Sequence, residues 1–379
     1  MQEQHRGARP PMKISIIGGG IAGCATAYYL SRDGHDVTLF ERDSLASHAS
    51  GFALGGLLPK IGGPYGEPYA QLSHYSIGLH KDLATAVSGT DSDGNSLNFV
   101  RKASLMLVKD DAEAESMRRV YENYAKDSAL DVRWLAQGEL SHIDARISTD
   151  VLGGLYVGES YEVDPYKLTL ALWQAAEQLG AVIVNRNVTD IAVAGDRVSG
   201  VVTDDQVFEA DSVVVAAGPW SSEMLAGLGL TVPVSPLKGQ IIRLAAPDPP
   251  IKLSLWWDTD YATSKSDGLL WIGTTEEEVG FDDRTTEEAR DRIIGSAVEM
   301  LPYLEDAELV QQTACLRPMT PDRTPIIDGE AGPEGLVIAT GGGRQGILVG
   351  PAMGQATAAL AVGAESPVDI SAFSLSRFS

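Results

Sequence analysis

Apolar residues near the start of the chain first form a continuous run and then take helical spacing. The run ISII at 14–17 is strongly β-prone, a glycine-rich turn follows it, and residues 22–32 carry a helix-forming pattern. A second β-prone run occupies residues 36–40. This order predicts strand, turn, helix and strand, which is the beginning of a doubly wound nucleotide-binding fold.

The rest of the chain alternates between helical and strand patterns. Apolar residues at helical spacing predict helices at 68–86, 111–124, 166–179, 285–301 and 347–362. Apolar or alternating runs predict strands at 99–109, 181–184, 188–193, 197–203, 207–209, 212–217, 234–244, 253–257, 261–264, 269–274 and 336–339, and an α+β region at 139–157. The run at 212–217 is apolar on both faces, which is typical of a central parallel strand. We therefore expect an α/β domain that is interrupted and later resumed around a second, α+β domain.

Composition narrows the functional classes. The chain has 379 residues, 44% of them hydrophobic, which is enough for two interleaved domains that each have a core. The formal charge of −23 comes from 52 acidic and 29 basic residues. Because this charge repels phosphate backbones and anionic membrane surfaces, we expect no nucleic-acid partner.

Cysteine usage and hydropathy indicate neither a disulfide framework nor a membrane anchor. Cys24 and Cys315 are too few for a disulfide framework or a cysteine-based metal site, and Cys24 is expected to be a small buried hydrophobe. No segment is apolar enough to span a bilayer, and residues 1–11 lack the apolar core of a secretory signal. We expect a cytoplasmic protein without membrane insertion and without a metal, with a disordered extension over residues 1–12. The sequence leaves open whether the protein forms a homo-oligomer.

Gly18, Gly20 and Gly23 form a G-x-G-x-x-G sequence between the first strand and the first helix. Gly18 permits the tight turn, Gly20 lets the backbone approach a pyrophosphate, and Gly23 lets the helix pack closely on the strand. Glu41, at the end of the second strand, is placed to accept the ribose hydroxyls of an adenosine. A lone glycine motif is weak evidence, but the strand, the helix and the acid together favour a dinucleotide site over a structural turn.

Two further segments carry candidate anion-binding groups. The turn GGGRQG at 341–346 opens a helix of small residues, which predicts a second anion site on the same sheet. In the small-residue stretch at 44–59, Ser47 and Ser50 either donate to a phosphate or cap the next helix, and the sequence does not separate the two.

Taken together, these landmarks resemble the D-amino-acid-oxidase-like family of FAD enzymes, most closely its glycine oxidase and sarcosine oxidase members. The resemblance covers residues 13–360. It rests on GGGIAGCATAYYL with Glu41, VVVAAGPWS at 213–221, YATSKSDGLLWIGTT at 261–275, CLRPMTPDRTPIIDG at 315–329 and GGGRQGILVGP at 341–351.

The resemblance implies a fold and a cofactor. It implies FAD rather than NAD, because the C-terminal glycine turn of the family covers the pyrimidine edge of the flavin. The expected fold is α/β, with a Rossmann-like FAD-binding domain of the glutathione-reductase type and an antiparallel-sheet α+β substrate domain. The FAD-binding domain is expected at residues 13–87, 154–234 and 318–379, and the substrate-binding domain at 88–153 and 235–317.

The resemblance also implies roles for individual residues. Arg317 matches the arginine that binds the substrate carboxylate, Tyr261 a tyrosine that hydrogen-bonds the same group, and Arg344 an arginine at the mouth of the flavin site. The expected cofactor-binding residues are Gly18, Gly20, Ile21, Ala22, Gly23, Glu41, Arg42, Ala49, Ser50, Leu54, Gly55, Gly56, Val188, Gly218, Trp220, Gly342, Gly343, Arg344, Gln345, Gly346, Ile347 and Leu348.

Physical chemistry supports the carboxylate role but leaves alternatives. A guanidinium fork matches a carboxylate bidentately, and a tyrosine hydroxyl adds a donor. Arg317 could instead form an interdomain salt bridge, and Tyr261 could be a half-buried sheet aromatic. Arg344 could stabilise negative charge on a reduced flavin or pair with one of the many acids.

Two departures from the family pattern bear on the cofactor and the substrate. Cys315 stands where monomeric sarcosine oxidases bond the flavin covalently, yet Trp271 replaces their oxygen-activating lysine. We therefore expect FAD to be non-covalent, with a thioether to Cys315 as the minor alternative. The triple glycine at 341–343 lacks the usual bulky residues and leaves the size of the substrate open.

The functional hypothesis is oxidation of the CH–N bond of a small amino acid or secondary amine, of the glycine, sarcosine or D-amino-acid type. The imine product would hydrolyse to an oxo acid and ammonia or an amine, and O2 would be reduced to H2O2. The alternatives are an amino-acid dehydrogenase of the same fold that uses a quinone or carrier, a catalytically silent flavin-binding sensor, and an NAD-dependent enzyme.

Overall fold

The computed structural model describes residues 10–58, 66–87, 96–126, 130–245 and 248–379. Residues 1–9 of the predicted disordered extension lie outside the described residues. Met12, at its other end, is already tied to the fold, because its N–H donates to His35 Nδ1 at 3.2 Å and its carbonyl accepts from the Asp36 N–H at 3.0 Å.

Helices and strands alternate along the described chain. The helices are α1 (Ile21–Arg32), α2 (Ala49–Phe52), α3 (Gly66–Ala86), α4 (Asp111–Tyr124), α5 (Gln137–Ile143), α6 (Pro165–Gln178), α7 (Ser221–Ala226), α8 (Glu287–Met300) and α9 (Gly346–Ala361). The strands are β1 (Lys13–Ile17), β2 (Asp36–Phe40), β3 (Gly56–Leu57), β4 (Val100–Arg101), β5 (Ser104–Val108), β6 (Val132–Ala136), β7 (Gly153–Val157), β8 (Tyr161–Glu162), β9 (Val182–Val184), β10 (Val188–Ala194), β11 (Arg197–Thr203), β12 (Val207–Glu209), β13 (Ser212–Val215), β14 (Ser235–Ala245), β15 (Ser254–Trp257), β16 (Asp260–Ser264), β17 (Leu269–Gly273), β18 (Leu309–Met319), β19 (Ile326–Asp328) and β20 (Leu336–Thr340).

Side-chain caps fix the start of several helices. Asp110 accepts from the Glu113 N–H at the start of α4, and Asp164 accepts from the Lys167 N–H at the start of α6. Each cap satisfies an N–H group that has no partner inside the helix. In contrast, α1 and α9 have no side-chain cap of their own. The N–H groups of their first turns are therefore left for partners outside these helices.

The first sheet, called the parallel sheet here, has the order β19-β20-β13-β1-β2-β9 among the described residues. Its strands pair in parallel, except for the antiparallel edge strand β19. Alternate strand residues face opposite sides: Ile14 and Ile16 pack with α1, α3, α6 and α9, whereas Ile17 packs with the small sheet β10-β11-β12. The predicted central parallel strand is confirmed as β13, which lies between β1 and β20.

The second sheet, called the mixed sheet here, has the order β18-β14-β17-β16-β15-β5-β7-β6. Its neighbours are antiparallel except β15 and β5, which pair in parallel. Trp257 and Ile272 face α8, whereas Trp256 and Tyr261 face the other side. A second small sheet among the described residues has the order β3-β8-β4. The expected α/β fold with a second α+β part is therefore confirmed, although the second sheet is not purely antiparallel.

The structure differs from the predicted elements in several places, among them strand β18, for which the sequence pattern predicts no strand. The expected strand at 99–109 is two strands, because β4 pairs with β8 whereas β5 pairs with β7 and β15, so the chain changes sheets at 102–103. Strand β6 was not predicted. Strand β7 pairs with β5 and β6 in the mixed sheet, so this strand crosses the predicted boundary at 153.

Within the described ranges, no helix is long and apolar enough to cross a membrane.

Candidate active site

A single cavity runs from the carboxyl ends of β1, β2, β13 and β20 to the face of the mixed sheet that points away from α8. Its walls include Gly18 after β1, Glu41 after β2 and Ala216 after β13. At the other end they include Tyr261 on β16 and Arg317 on β18. The carboxyl edge of a parallel sheet is where α/β folds bind ligands, so the fold itself places the cavity.

The first glycine turn closes the parallel-sheet end of the cavity. Gly18 has φ +108°, and a Cβ on it would collide with the Ala216 carbonyl, so the turn requires glycine there. Gly20 lines the cavity, but Gly23 does not: its Cα packs against the Gly18 carbonyl. The structure thus places Gly23 in the packing of α1 against the glycine turn and not in the wall of the cavity.

Ser50 satisfies an N–H group at the N-terminus of α1. Its Oγ accepts from the Ile21 N–H at 2.9 Å, so it caps this helix from α2, not its own helix. The neighbouring Ser47 Oγ is buried without a hydrogen-bond partner among the described residues, and Ser47 lines the cavity. An orphaned hydroxyl beside a helix N-terminus suits a bound phosphate.

Glu41 is buried at the end of β2 and faces the glycine turn. One carboxylate oxygen accepts from the Gly19 N–H at 2.7 Å, and the other accepts from the Asp43 N–H at 2.9 Å. Each carboxylate oxygen can accept more than one hydrogen bond. The backbone therefore fixes the carboxylate while leaving it capacity for ribose hydroxyls.

Trp220 forms a stacked group at the same end of the cavity. The Arg42 guanidinium lies 4.3 Å from the centre of its ring, and the Phe281 ring stacks at 5.6 Å. The His48 ring is 4.9 Å away and bonds Asp43 at 2.8 Å. Arg42, His48 and Trp220 all line the cavity, so this group covers its outer side.

The second glycine turn lies across the cavity from the first. Residues Gly343–Gln345 form a short 3-10 helix, and α9 follows with no acidic residue in its first turn. A Cβ at Gly346 would meet open space. The uncapped helix start therefore offers N–H groups to the cavity.

Arg317 is held by two groups that follow β17. Its Nη2 donates to Thr274 Oγ1 at 2.6 Å, and its Nη1 donates to the Thr275 carbonyl at 3.0 Å. It makes no ion pair with any described residue, which argues against the salt-bridge alternative. Burial lowers the pKa of Arg317, but a guanidinium stays charged. The remaining N–H groups of an unneutralised cation thus face the cavity.

Gly239 makes room for this guanidinium. It lies on β14 opposite Cys315 of β18, and a Cβ on it would overlap the guanidinium of Arg317. A glycine inside a strand often marks such a close approach, so the sequence KGQ at 238–240 carried a signal for this contact.

Tyr261 points into the cavity near Arg317. Its side chain is buried, and its hydroxyl has no hydrogen-bond partner in the described part of the chain. Burial raises the pKa of Tyr261, against the lowering effect of Arg317 and Arg344. The phenol therefore stays protonated near neutral pH and can donate a hydrogen bond to an anion.

Arg344 is paired, as one of the alternatives anticipated. Its Nη1 donates to Glu276 at 2.9 Å and its Nη2 donates to the Thr259 carbonyl at 2.8 Å. Arg323 also pairs with Glu276, at 2.9 Å. Arg344 lines the cavity, but its charge is partly balanced, unlike that of Arg317.

Cys315 and Trp271 occupy different surroundings. Cys315 is a free thiol in the cavity wall, and burial raises its pKa. Trp271 lies outside the lining and donates to Asp267 at 2.8 Å, with the Arg243 guanidinium 3.8 Å from its ring. Trp271 therefore packs on the cavity-side face of the mixed sheet, beside Ile241 and Tyr261, without lining the cavity.

The structure brings the expected site residues together with the exception of Gly23. Residues that sequence reasoning did not assign also line the cavity, among them Gly239, Ile241, Trp256, Thr274 and Thr313. Apart from Gly239, whose position inside a strand is a local signal, these residues are placed there by a strand register that cannot be read from local sequence.

Comparison with known proteins identifies the family. A family model described as FAD dependent oxidoreductase matches residues 13–360. The chain belongs to this family of FAD-dependent oxidoreductases.

Relatives in this FAD-dependent family match over nearly the whole chain. The chain is 30% identical to the glycine oxidase of Geobacillus kaustophilus over 368 residues, covering 96% of both proteins. It is 31% identical to the glycine oxidase of Pseudomonas putida over 373 residues, covering 94% of this chain and 96% of that protein. The crystal structure of the Geobacillus kaustophilus glycine oxidase superimposes with a TM-score of 0.90, at 29% identity, covering 97% of this chain and 99% of that one.

The cavity fits the FAD that the family requires. The helix starts of α1 and α9, a buried acid at the end of β2 and the orphaned Ser47 hydroxyl suit the phosphates and ribose of a dinucleotide. Thr313 Oγ1, buried without a described partner, lines the other half of the cavity. Both halves thus offer polar groups that a long polar ligand would satisfy.

Proposed function

We propose that the protein oxidises the CH–N bond of a small amino acid or secondary amine of the glycine, sarcosine or D-amino-acid type. The observation that carries the proposal is the guanidinium of Arg317, which lies in the wall of the cavity that begins at Gly18. It is bound by neutral groups and has no acidic partner among the described residues. An unneutralised guanidinium beside a tyrosine hydroxyl is a carboxylate site. The glycine oxidases among the relatives support the same substrate class.

Arg317 and Tyr261 would bind the substrate carboxylate together. The fork of Arg317 supplies charge and parallel donors, and the protonated Tyr261 supplies one more donor. Two fixed ligands on one carboxylate restrict the orientation of Cα, which is the main contribution this chain can make to the rate. Arg344, held by Glu276, would border the entrance.

The residues around the two glycine turns would hold FAD, with Glu41 and Ser47 at its ADP part and the turn at 341–346 at its flavin. The chemistry supplied by bound FAD is two-electron acceptance from the Cα–H hydride and transfer to O2, with H2O2 as the product. The substrate also loses a proton from nitrogen, so an imine forms, and water cleaves it to an oxo acid and ammonia or an amine. Since burial keeps Cys315 protonated, we propose that FAD is bound non-covalently.

We further propose that the two sheets are two domains. The parallel sheet would belong to the FAD-binding domain, built from segments starting at 13, after Val157 and at 318. The mixed sheet would belong to the substrate-binding domain, with β7 included.

The visible spectrum of the purified holoenzyme tests this function. Anaerobic addition of glycine, sarcosine or one member of a panel of D- and L-amino acids should bleach the flavin absorbance, and air should restore it. Because FAD is proposed to be bound non-covalently, acid precipitation should release it and leave a colourless protein pellet. Recovery only with a quinone would replace the oxidase by a dehydrogenase, and no bleaching by any amine would contradict the proposal.

Replacement of Arg317 by alanine tests the carboxylate role. Because at least one charge-assisted hydrogen bond is lost, each worth roughly 1.5–3 kcal/mol, kcat/KM for amino acids should fall by about 10- to 100-fold or more. Activity toward uncharged amines should change little. An equal loss on both substrate types would show that Arg317 does not bind the carboxylate.

A further inference from the structure

A buried carboxylate lies directly behind the two residues proposed to bind substrate. Asp260 precedes Tyr261 at the start of β16, is 3% exposed and does not line the cavity. Buried carboxylates are costly unless they are paired and hydrogen-bonded. The hydrogen-bond partners of Asp260 therefore indicate which parts of the structure this carboxylate holds in place.

Asp260 accepts hydrogen bonds from two directions. On the side of the cavity, its Oδ1 accepts from the Thr274 N–H at 2.7 Å. On the side of α8, Arg292 binds it as a fork, with Nη2 at 2.8 Å from Oδ1 and Nη1 at 3.2 Å from Oδ2. Ser296 donates to Oδ2 at 2.6 Å. Asp260 thus fastens the backbone of Thr274 to α8, together with Arg292, whose Nη2 also donates to the Thr274 carbonyl at 2.5 Å.

Thr274 transmits this position to Arg317. Its hydroxyl donates to the Gln240 carbonyl at 3.0 Å and accepts from Arg317 Nη2 at 2.6 Å. A hydroxyl has one proton and two lone pairs, so donation to Gln240 directs a lone pair at the guanidinium. The Thr274 side chain can do this only while its backbone keeps its place.

We propose that Asp260 is a positioning residue for the substrate carboxylate site, acting through Thr274 to set the direction of the Arg317 guanidinium. This inference rests on the proposed function, in which Arg317 binds the carboxylate. Arg292, whose side chain is 45% exposed on α8, is the outer end of the same chain of contacts.

A double-mutant cycle on the FAD-loaded enzyme tests the route through Thr274. The dissociation constant of acetate, a carboxylate without a CH–N bond, is measured by calorimetry for wild type, Asp260→Asn, Thr274→Val and the double variant. Each single change should weaken acetate binding about 10-fold, which corresponds to 1.4 kcal/mol. The double variant should be no weaker than the weaker single variant, since both changes interrupt one route.

Additive effects in that cycle would overturn the inference, because Asp260 would then act independently, for example through the Tyr261 backbone. Thr274→Ser keeps the hydroxyl and should restore acetate binding to within about 3-fold of wild type. Arg292→Gln, a milder change at a half-exposed side chain, removes the fork on Asp260 and the direct bond to the Thr274 carbonyl, and tests the shared route from α8 to Thr274 where Asp260→Asn does not fold. It should weaken acetate binding in the wild-type background and not in Thr274→Val.

A matched control is Asp144→Asn, which breaks another fork with an arginine, Arg146, away from the cavity. It should leave acetate binding unchanged. Steady-state kinetics give a second readout: Asp260→Asn should raise KM for the amino acid more than it lowers kcat. If wild type binds no carboxylate at all, the proposed function fails. If wild type binds acetate and Asp260→Asn binds it equally well, the positioning role alone fails.

Discussion

At the scale of the residue, Trp256 is the side chain best placed to limit substrate size. It pairs with Tyr261 across β15 and β16, and the two rings are 5.4 Å apart on the cavity side of the sheet. Its Nε1 donates to Ser104 Oγ at 3.3 Å, and a Cβ on Gly56 would sit 3.2 Å from its ring. The indole is thus fixed on two sides beside the proposed carboxylate site.

Replacing Trp256 by leucine should therefore open the site to larger substrates. A difference of one or a few carbon atoms in an apolar pocket is worth roughly 1–3 kcal/mol, so the kcat/KM ratio of large to small amino acids should rise about 10-fold or more. The measurement is steady-state kinetics over an amino-acid series of increasing side-chain size.

Trp257→Phe is the control, because Trp257 follows directly on β15 but faces α8, where its Nε1 donates to Ser296. This control should keep the substrate profile of wild type. An unchanged profile for Trp256→Leu would mean that another wall of the cavity sets the size limit.

Single residues could be predicted from sequence where their local surroundings identify them. Arg317 stands next to Pro318 in a motif, and Glu41 ends a strand at a fixed distance from the glycines. Thr274 and Trp256 could not be assigned, because their roles depend on which strands are neighbours and in what register. Such pairing is non-local and leaves no mark on the residues themselves.

At the scale of the element, His80 connects α3 to the start of α9. Its side chain is buried, and its Nε2 donates to the Ile347 carbonyl at 2.9 Å, with the Leu348 carbonyl at 3.3 Å. Burial lowers the pKa of His80 to about 4, more strongly than the two carbonyls raise it. Neutral His80 therefore holds the first turn of the helix that lines the second half of the cavity.

This buried histidine should make stability fall in mild acid. Between the folded pKa near 4 and an unfolded pKa near 6.5, the unfolded chain binds the proton more readily, so stability is lost as the pH falls from about 6.5 to 4. The loss attributable to this group is at most roughly 3 kcal/mol at pH 4. His80→Gln cannot titrate, so its unfolding midpoint should fall less than that of wild type between pH 7.5 and 5.

Calorimetric midpoints of the holoenzyme at both pH values measure the difference. His142→Gln, at an exposed position in α5, is the control and should follow wild type. Parallel pH profiles for His80→Gln and wild type would contradict the prediction.

Helices and strands could be predicted well where all residues of a stretch belong to one element that packs against one set of neighbours. Helix α4, from Asp111 to Tyr124, and strand β2 agree with the predicted bounds, because capping and periodicity define them locally. The strand predicted at 99–109 was wrong as a single element because Lys102 turns inward between two sheets and donates to Glu162 and to the Ser264 carbonyl. From an apolar run alone one cannot predict that its two halves pair with strands of different sheets.

At the scale of the whole molecule, the alternation of the chain between two sheets could be predicted from the order of patterns, but the contacts between them could not. Arg323 lies on the segment before β19 and Arg344 on the segment after β20, both next to the parallel sheet. Glu276 lies on the segment that follows β17 of the mixed sheet. Charged residues on loops have no periodicity that would pair them. In a chain with 52 acidic residues, nothing in the sequence marks Glu276.

Glu276 should accordingly contribute more to stability than an ordinary surface acid. Although burial opposes it, pairing with Arg323 and Arg344 lowers the pKa of Glu276 overall.

Glu276→Gln would leave two guanidiniums close together without their shared anion, at a cost of about 1–3 kcal/mol. For a chain of this size we expect the calorimetric unfolding midpoint of the holoenzyme to fall by about 1–4 °C at pH 7.5. Glu299→Gln removes an exposed pair with Lys109 and should shift the midpoint by less than about 1 °C. The advantage of wild type over Glu276→Gln should also shrink as the pH falls below the unfolded value of about 4.3, because the unfolded chain then binds the proton more readily than the paired carboxylate does. Equal shifts for the two variants would mean that the contact between the sheets depends on their apolar surfaces and not on this shared anion.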